Sequence, residues 1–207
     1  VKLYLSSFRL GDHPEHLVAL LPRNPSVAVV CNSIDAEAPD VRREKVAEEI
    51  TWLTGLGLRA EELDLREVAG DDLRARLSAY DGIWMRGGNV FVLRIAMARS
   101  GADQILPDLI RAEELVYAGY SAGPCVLAPS LRGLELCDDT TALDGEVIWQ
   151  GLGVLDHAIV PHLDSPGHPE TELLAKVAEL YDRTGVPNVK LTDGQALVID
   201  GDRRELV

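Results

Sequence analysis

The sequence predicts an α/β fold, a mostly parallel sheet with helices on both faces, formed as one domain over residues 1–207. Three observations predict it. Up to Pro129, short apolar runs alternate with longer amphipathic stretches, the pattern of successive strand–helix–strand units. Runs such as Val27 to Cys31 are apolar at every position, not at every second one, which suits strands covered on both faces. Finally, no linker, repeat or low-complexity segment divides the chain.

The elements follow in order. Val1 to Ser6 alternates apolar and polar residues and reads as a first strand, and Val27 to Cys31 as a second. Asp40 to Leu56 is an amphipathic helix introduced by Pro39 and ended by Gly55 and Gly57. A short strand is expected at Leu63 to Leu65, a helix around Asp71 to Ala79, and a strand at Gly82 to Met85 that runs into Arg86-Gly87-Gly88-Asn89. Helices are predicted over Val90 to Ser100 and Ala102 to Ala112, then a strand over Leu115 to Ala118. Beyond Pro129 come short apolar pieces at Val147 to Trp149 and His157 to Val160, a helix from Glu170 to Tyr181, and a terminal hairpin around Asp200-Gly201-Asp202.

Composition narrows the function. The formal net charge of −14 argues against nucleic acid, whose phosphates need clustered Lys and Arg. No apolar run reaches the roughly 18 residues of a membrane span, and no basic, apolar leader precedes the first strand. Cys31, Cys125 and Cys137 lack metal-type spacing, read as small buried hydrophobes and fit a reducing cytoplasm. A cytoplasmic location without metal or cofactor is therefore expected. No phosphate loop or dinucleotide fingerprint occurs either.

The most informative stretch is Gly119-Tyr120-Ser121-Ala122-Gly123, a serine framed by glycines between a strand and the helix-compatible run Ala122 to Ala128. Such a turn lifts the serine Oγ clear of the sheet and aims the next backbone N–H at a developing oxyanion. A serine needs a base. Of five histidines, His13 and His16 lie in a polar stretch, His157 opens a strand and His168 sits in an exposed-looking loop. His162 follows Ala158 to Pro161 at a strand's carboxyl end, where sites form in open α/β sheets. The base in turn needs an acid. Glu135, Asp138, Asp139, Asp144, Glu146 and Asp156 all lie between Ser121 and His162, and spacing does not choose among them. Gly87-Gly88-Asn89 could supply a second oxyanion donor or simply a turn with Asn89 as helix cap.

Together Arg86-Gly87-Gly88-Asn89, Ala118 to Gly123 and Val160-Pro161-His162 resemble, in order and spacing, the S51 serine peptidases, the family of dipeptidase E and cyanophycinase. The resemblance implies a class I glutamine amidotransferase-like (flavodoxin-like) three-layer fold with a nucleophile elbow. It makes Ser121 the nucleophile and His162 the base, the N–H groups of Gly88 and Ala122 the oxyanion hole, and Asn89 a neighbour of the substrate. The family's acid column falls on Leu136 without gaps, and an insertion brings Asp138 or Asp139 into register, with Glu135 as an outside candidate. Where dipeptidase E carries an arginine that recognises an N-terminal aspartate, this chain has Glu172. Poor activity on Asp-Xaa dipeptides is expected, with Arg86 and Arg132 as the cations that could compensate.

The function implied is a serine exopeptidase of the dipeptidase E type acting on short peptides, with a homodimer as an option. A cyanophycinase-like hydrolase and a non-catalytic binding protein on the same scaffold are the alternatives.

Overall fold

The computed structural model describes residues 1–141 and 147–207; Asp144 and Glu146 lie outside them. The chain begins with β1 (Lys2–Ser6), α1 (Glu15–Leu20) and β2 (Ser26–Val30), followed by a 3₁₀ turn, α2 (Pro39–Gly55) and β3 (Arg59–Glu62). Next come α3 (Gly70–Leu77), β4 (Gly82–Met85), α4 (Val90–Ser100), α5 (Ala102–Arg111), β5 (Val116–Tyr120) and the short α6 (Ala122–Cys125). The last part holds β6 (Ala158–Val160), α7 (Thr171–Thr184), β7 (Asn188–Lys190) and the hairpin β8 (Ala196–Asp200) and β9 (Arg203–Leu206).

The main sheet has the order β3-β2-β4-β5-β1-β8-β9, and β6 and β7 pair separately. From β3 to β1 every pairing is parallel, and β8 and β9 add an antiparallel edge. Alternate strand residues enter two cores. Leu3, Leu5, Ala28, Val30, Ile83 and Met85 pack beneath α3 to α7, while Tyr4, Val27, Val29, Trp84 and Ala118 pack against α1 and α2. The expected three-layer, mostly parallel α/β architecture is what the chain adopts.

Two strands depart from expectation. The third strand is Arg59–Glu62, not Leu63 to Leu65. It lies at the sheet edge, so its sequence RAEE is polar, while Leu63 and Leu65 are buried in the loop beyond it. β7 has no sequence counterpart, because Asn188-Val189-Lys190 is short and only partly buried.

The parallel strands bring the ends of β1, β4 and β5 to one edge. There β5 and the elbow pass very close to β4. A Cβ on Gly119 would collide with the Met85 carbonyl oxygen, and one on Gly123 would approach it to 2.7 Å. Tyr117 OH donates to Gly123 O at 2.7 Å and fixes the turn from below. The glycine spacing around Ser121 thus follows from backbone contact with β4. Gly119→Ala is expected to destabilise the fold by about 1–3 kcal/mol through overpacking, measured by chemical denaturation; an unchanged midpoint contradicts this account.

Candidate active site

Ser121 adopts φ 52 and ψ −109, a conformation that non-glycine residues rarely hold. Its N–H donates to Ser6 O at 3.3 Å, so the strained residue is tied to the end of β1. The helix after it is short, Ala122–Cys125, and the Ala122 N–H heads it. Gly88 sits at φ 143, where a Cβ would strike Ser33 O and Ile34 at 2.9 Å. Ser33 Oγ donates towards Arg86 O and Gly87 O, fixing the Arg86-Gly87-Gly88 turn. Among the described residues, the Gly88 and Ala122 amides have no backbone partner.

Asn89 is the helix cap that the sequence also allowed. Its Oδ1 accepts from Phe91 N and Val92 N, and its Nδ2 donates to Asp139 O at 2.7 Å. Its carboxamide is engaged in these bonds, and Asn89 is not among the residues that line the cleft.

His162 is 1% exposed and lies just past β6, as predicted. Its Nδ1 hydrogen-bonds Asp193 Oδ1 at 2.6 Å. A carboxylate only accepts, so Nδ1 carries the proton and Nε2 keeps its lone pair. Ser7 Oγ accepts from His162 N at 2.8 Å and donates to the same Asp193 oxygen at 3.0 Å. Asp193 N in turn donates to Ser165 Oγ at 2.8 Å. Burial, the largest effect, lowers the His162 pKa below the usual value; Asp193 opposes it and His168 adds to it.

The acid at the imidazole therefore follows the histidine in sequence. The register of β6 with β7 explains why: Val160 pairs with Lys190, so both chains leave the small sheet side by side towards His162 and Asp193. None of the described carboxylates weighed between Ser121 and His162 occupies that position. Asp138 Oδ2 accepts from Val90 N at 2.7 Å, at the start of α4. Asp139 is exposed and bonds Thr141, which lowers its pKa. Glu135 turns back to Gly133 N, and Asp156 pairs with His157. The missed signal was Asp193-Gly194, a turn before β8 that is hidden without β7.

Glu172 is exposed on α7 and does not line the cleft; the carboxylates that do are Glu48 and Glu170. Burial raises the Glu170 pKa, an effect that His168 opposes. His168, which read as an exposed loop residue, stacks on His162 with ring centroids 3.6 Å apart and planes 6° apart. His168 Nδ1 accepts from Glu170 N at 3.3 Å. His162, His168 and Glu170 bring possible metal-ligating atoms within 4.8 Å of one another. Parallel rings, however, hold their lone pairs in separate planes, so a metal between them would lie far out of both.

The cleft over Ser121 has a volume of about 190 Å³ and is lined by Ser121, His162, Gly88, Glu170, Arg9 and Trp52 among others. Arg86 borders it but is committed, with Nε 3.2 Å from Glu49 and Nη1 donating to Gly87 O. Arg132 lies over Trp149, 4.6 Å from the ring centre, outside the cleft lining. Neither of the two cations named from sequence is therefore free for a substrate in the cleft.

A strained serine at the carboxyl edge of a parallel sheet, sharing a cleft with a buried histidine paired to Asp193, defines a three-layer α/β protein of the serine-elbow class. The chain belongs to peptidase family S51, whose sequence model matches residues 36–207. It is 34% identical over 153 residues to a Peptidase E of Streptomyces coelicolor, covering 70% of this chain and 59% of that protein. An uncharacterized peptidase of Listeria monocytogenes is 30% identical over 129 residues, 62% of each chain. The chain thus matches roughly three fifths of these relatives' lengths. A crystal structure of a candidate peptidase E from Listeria monocytogenes superposes with a TM-score of 0.83 at 24% identity, covering 100% of this chain and 97% of that one. A peptidase from an acI-B1 Actinobacterium superposes with a TM-score of 0.75 at 16% identity, covering 100% and 86%.

Burial, with a smaller contribution from Glu170, pushes the Asp138 carboxyl up to about 7, against the bond from Val90 N. An unfolded aspartate titrates near roughly 3.9. The raised folded value means that stability from this group is full below about pH 4 and is lost as pH rises through about 7. Asp138→Asn keeps an acceptor for Val90 N and removes that loss. Its Tm is expected to gain on wild type between about pH 5 and pH 8; a constant Tm difference over that range contradicts the assignment.

Proposed function

We propose that the chain is a serine peptidase of short peptides that works through Ser121, His162 and Asp193. The observation that carries this reading is the 2.6 Å bond from His162 Nδ1 to Asp193, which leaves Nε2 as the proton acceptor in a cleft shared with Ser121. Because burial lowers the His162 pKa, the imidazole is neutral at neutral pH and ready to act as a base. In the resting arrangement no hydrogen bond joins Ser121 Oγ to the imidazole among the described residues; such contacts commonly tighten only when substrate is bound.

The chemistry follows from these placements. His162 Nε2 takes the Ser121 proton as Oγ attacks the scissile carbonyl, and Asp193 stabilises the imidazolium that forms. The Gly88 and Ala122 amides receive the oxyanion. His162 then returns the proton to the leaving amine, and water, activated in the same way, releases the acyl group. A cleft of about 190 Å³ is below the roughly 300–1,000 Å³ of drug-sized ligand sites, which favours di- and tripeptides. Glu170 on the cleft wall, in place of the expected Glu172, disfavours an N-terminal aspartate side chain by like-charge repulsion.

The non-catalytic alternative rests on the uncertain acid and the absent arginine; the bond from His162 to Asp193 weighs against the first of these grounds. The cyanophycinase-like alternative is distinguished by release of β-aspartyl-arginine from cyanophycin. Ser121→Ala is expected to abolish hydrolysis across a di- and tripeptide library read by mass. Asp193→Asn lowers kcat by about 10³–10⁴-fold, the scale for losing the acid of such a triad, whereas Asp139→Asn leaves it near wild type. Wild-type turnover in Ser121→Ala or Asp193→Asn overturns the assignment. The acid limb of kcat/KM is expected below the usual histidine value of about 6.5.

A further inference from the structure

Arg9 was not singled out by its sequence context, yet it borders the cleft directly. It follows β1 at φ 50, a backbone conformation that costs a non-glycine residue energy. Its guanidinium carbon lies 4.9 Å from the Phe8 ring centre and 4.8 Å from that of Trp52, which α2 supplies. Two aromatic rings thus hold the cation at cation–π distance. Among the described residues no carboxylate lies within ion-pair distance of it, while Arg86, the other arginine of the cleft, is paired with Glu49. A guanidinium held by aromatic rings keeps its N–H donors, and these match a carboxylate with two parallel hydrogen bonds.

Position indicates which carboxylate. The Phe8 ring also meets His162 edge-on at 5.7 Å, so Arg9 stands one aromatic ring beyond the general base. The leaving amine takes its proton from His162, which places the leaving residue on that side of the scissile bond. In a dipeptide, the α-carboxylate of that residue lies one residue step, roughly 3.3–3.6 Å, further on. We infer that Arg9, clamped between Phe8 and Trp52, is the carboxylate receptor of the cleft and binds the free C-terminus of the leaving residue. This inference rests on the peptidase reading and deepens it: the substrates are then peptides that end just past the cleavage point.

The test compares Xaa-Ala dipeptides with their C-terminal amides on wild type, Arg9→Gln, Arg9→Lys and Trp52→Leu proteins. KM is measured on active enzyme. Kd is measured by calorimetry in the Ser121→Ala background, so carboxylate recognition is read without turnover and apart from any failure of the catalytic assignment. Wild type is expected to favour the free acids. Arg9→Gln should weaken them by about 10- to 100-fold, the worth of a charged hydrogen-bonded contact, and bring the acid-to-amide ratio towards one. Arg9→Lys should restore only part of the preference, and Trp52→Leu should reduce it with Arg9 intact. Equal binding of acids and amides by wild type, or a preference that survives Arg9→Gln, overturns the inference, as does the absence of any binding. A preference for Asp-Ala amide over Ala-Ala amide that disappears in Arg9→Gln keeps Arg9 as the receptor but overturns the C-terminal assignment in favour of a side-chain carboxylate.

Discussion

The hydrogen bond between His162 Nδ1 and Asp193 Oδ1 joins two loops that leave the small β6–β7 sheet side by side, and it sits where that sheet meets the main one. Ser7, at the end of β1, touches both partners: its hydroxyl accepts from the His162 backbone and donates to the Asp193 carboxylate. One hydroxyl therefore sets the depth of the histidine and the direction of the acid together. Because the histidine is 1% exposed, an unpaired Nδ1–H there would be costly. The pair, its serine bridge and the left-handed backbone of His162 (φ 57) form a single constraint. Tautomer, base strength and the reach of Nε2 all depend on it.

Ser121 is fixed by a different kind of force. Ser121 is held in strained backbone by contact between β5 and the Met85 carbonyl of β4, with only glycines fitting on either side. Steric close approach thus sets the serine, and polar satisfaction sets the histidine. Between them lies a small cleft whose charges are mostly committed. Glu49 is buried and accepts from Trp84 Nε1 and Tyr120 OH, each at 2.7 Å, and it also holds Arg86. Glu48, Glu170 and Arg9 line the cleft without such a commitment.

The sequence made visible what depends on local pattern. Strands buried on both faces, helix stops at glycine, the elbow spacing and a histidine at a strand end all have short-range signatures, and each appears where expected. The acid had none. Asp193 reaches His162 through β7, three residues of mixed polarity with no strand signal, and it lies after the histidine in the chain. Asp138 and Asp139 match the family's acid column only with an insertion; in the structure one serves the N-terminus of α4 and the other bonds Thr141. β3 was misplaced because an edge strand does not need apolar residues. His168 and Arg9 take their places from aromatic neighbours brought together by the fold, His162 and Trp52 respectively, and periodicity carries no trace of such contacts.

Labelling by a fluorophosphonate probe tests the central claim most directly, because it reads the serine's reactivity without knowledge of the substrate. With wild-type protein, mass analysis should find the label on Ser121. The labelling rate should collapse in Asp193→Asn and remain close to wild type in Asp138→Asn. A serine that stays unlabelled in folded wild-type protein would contradict the account. So would labelling that survives loss of Asp193 but fails with loss of Asp138.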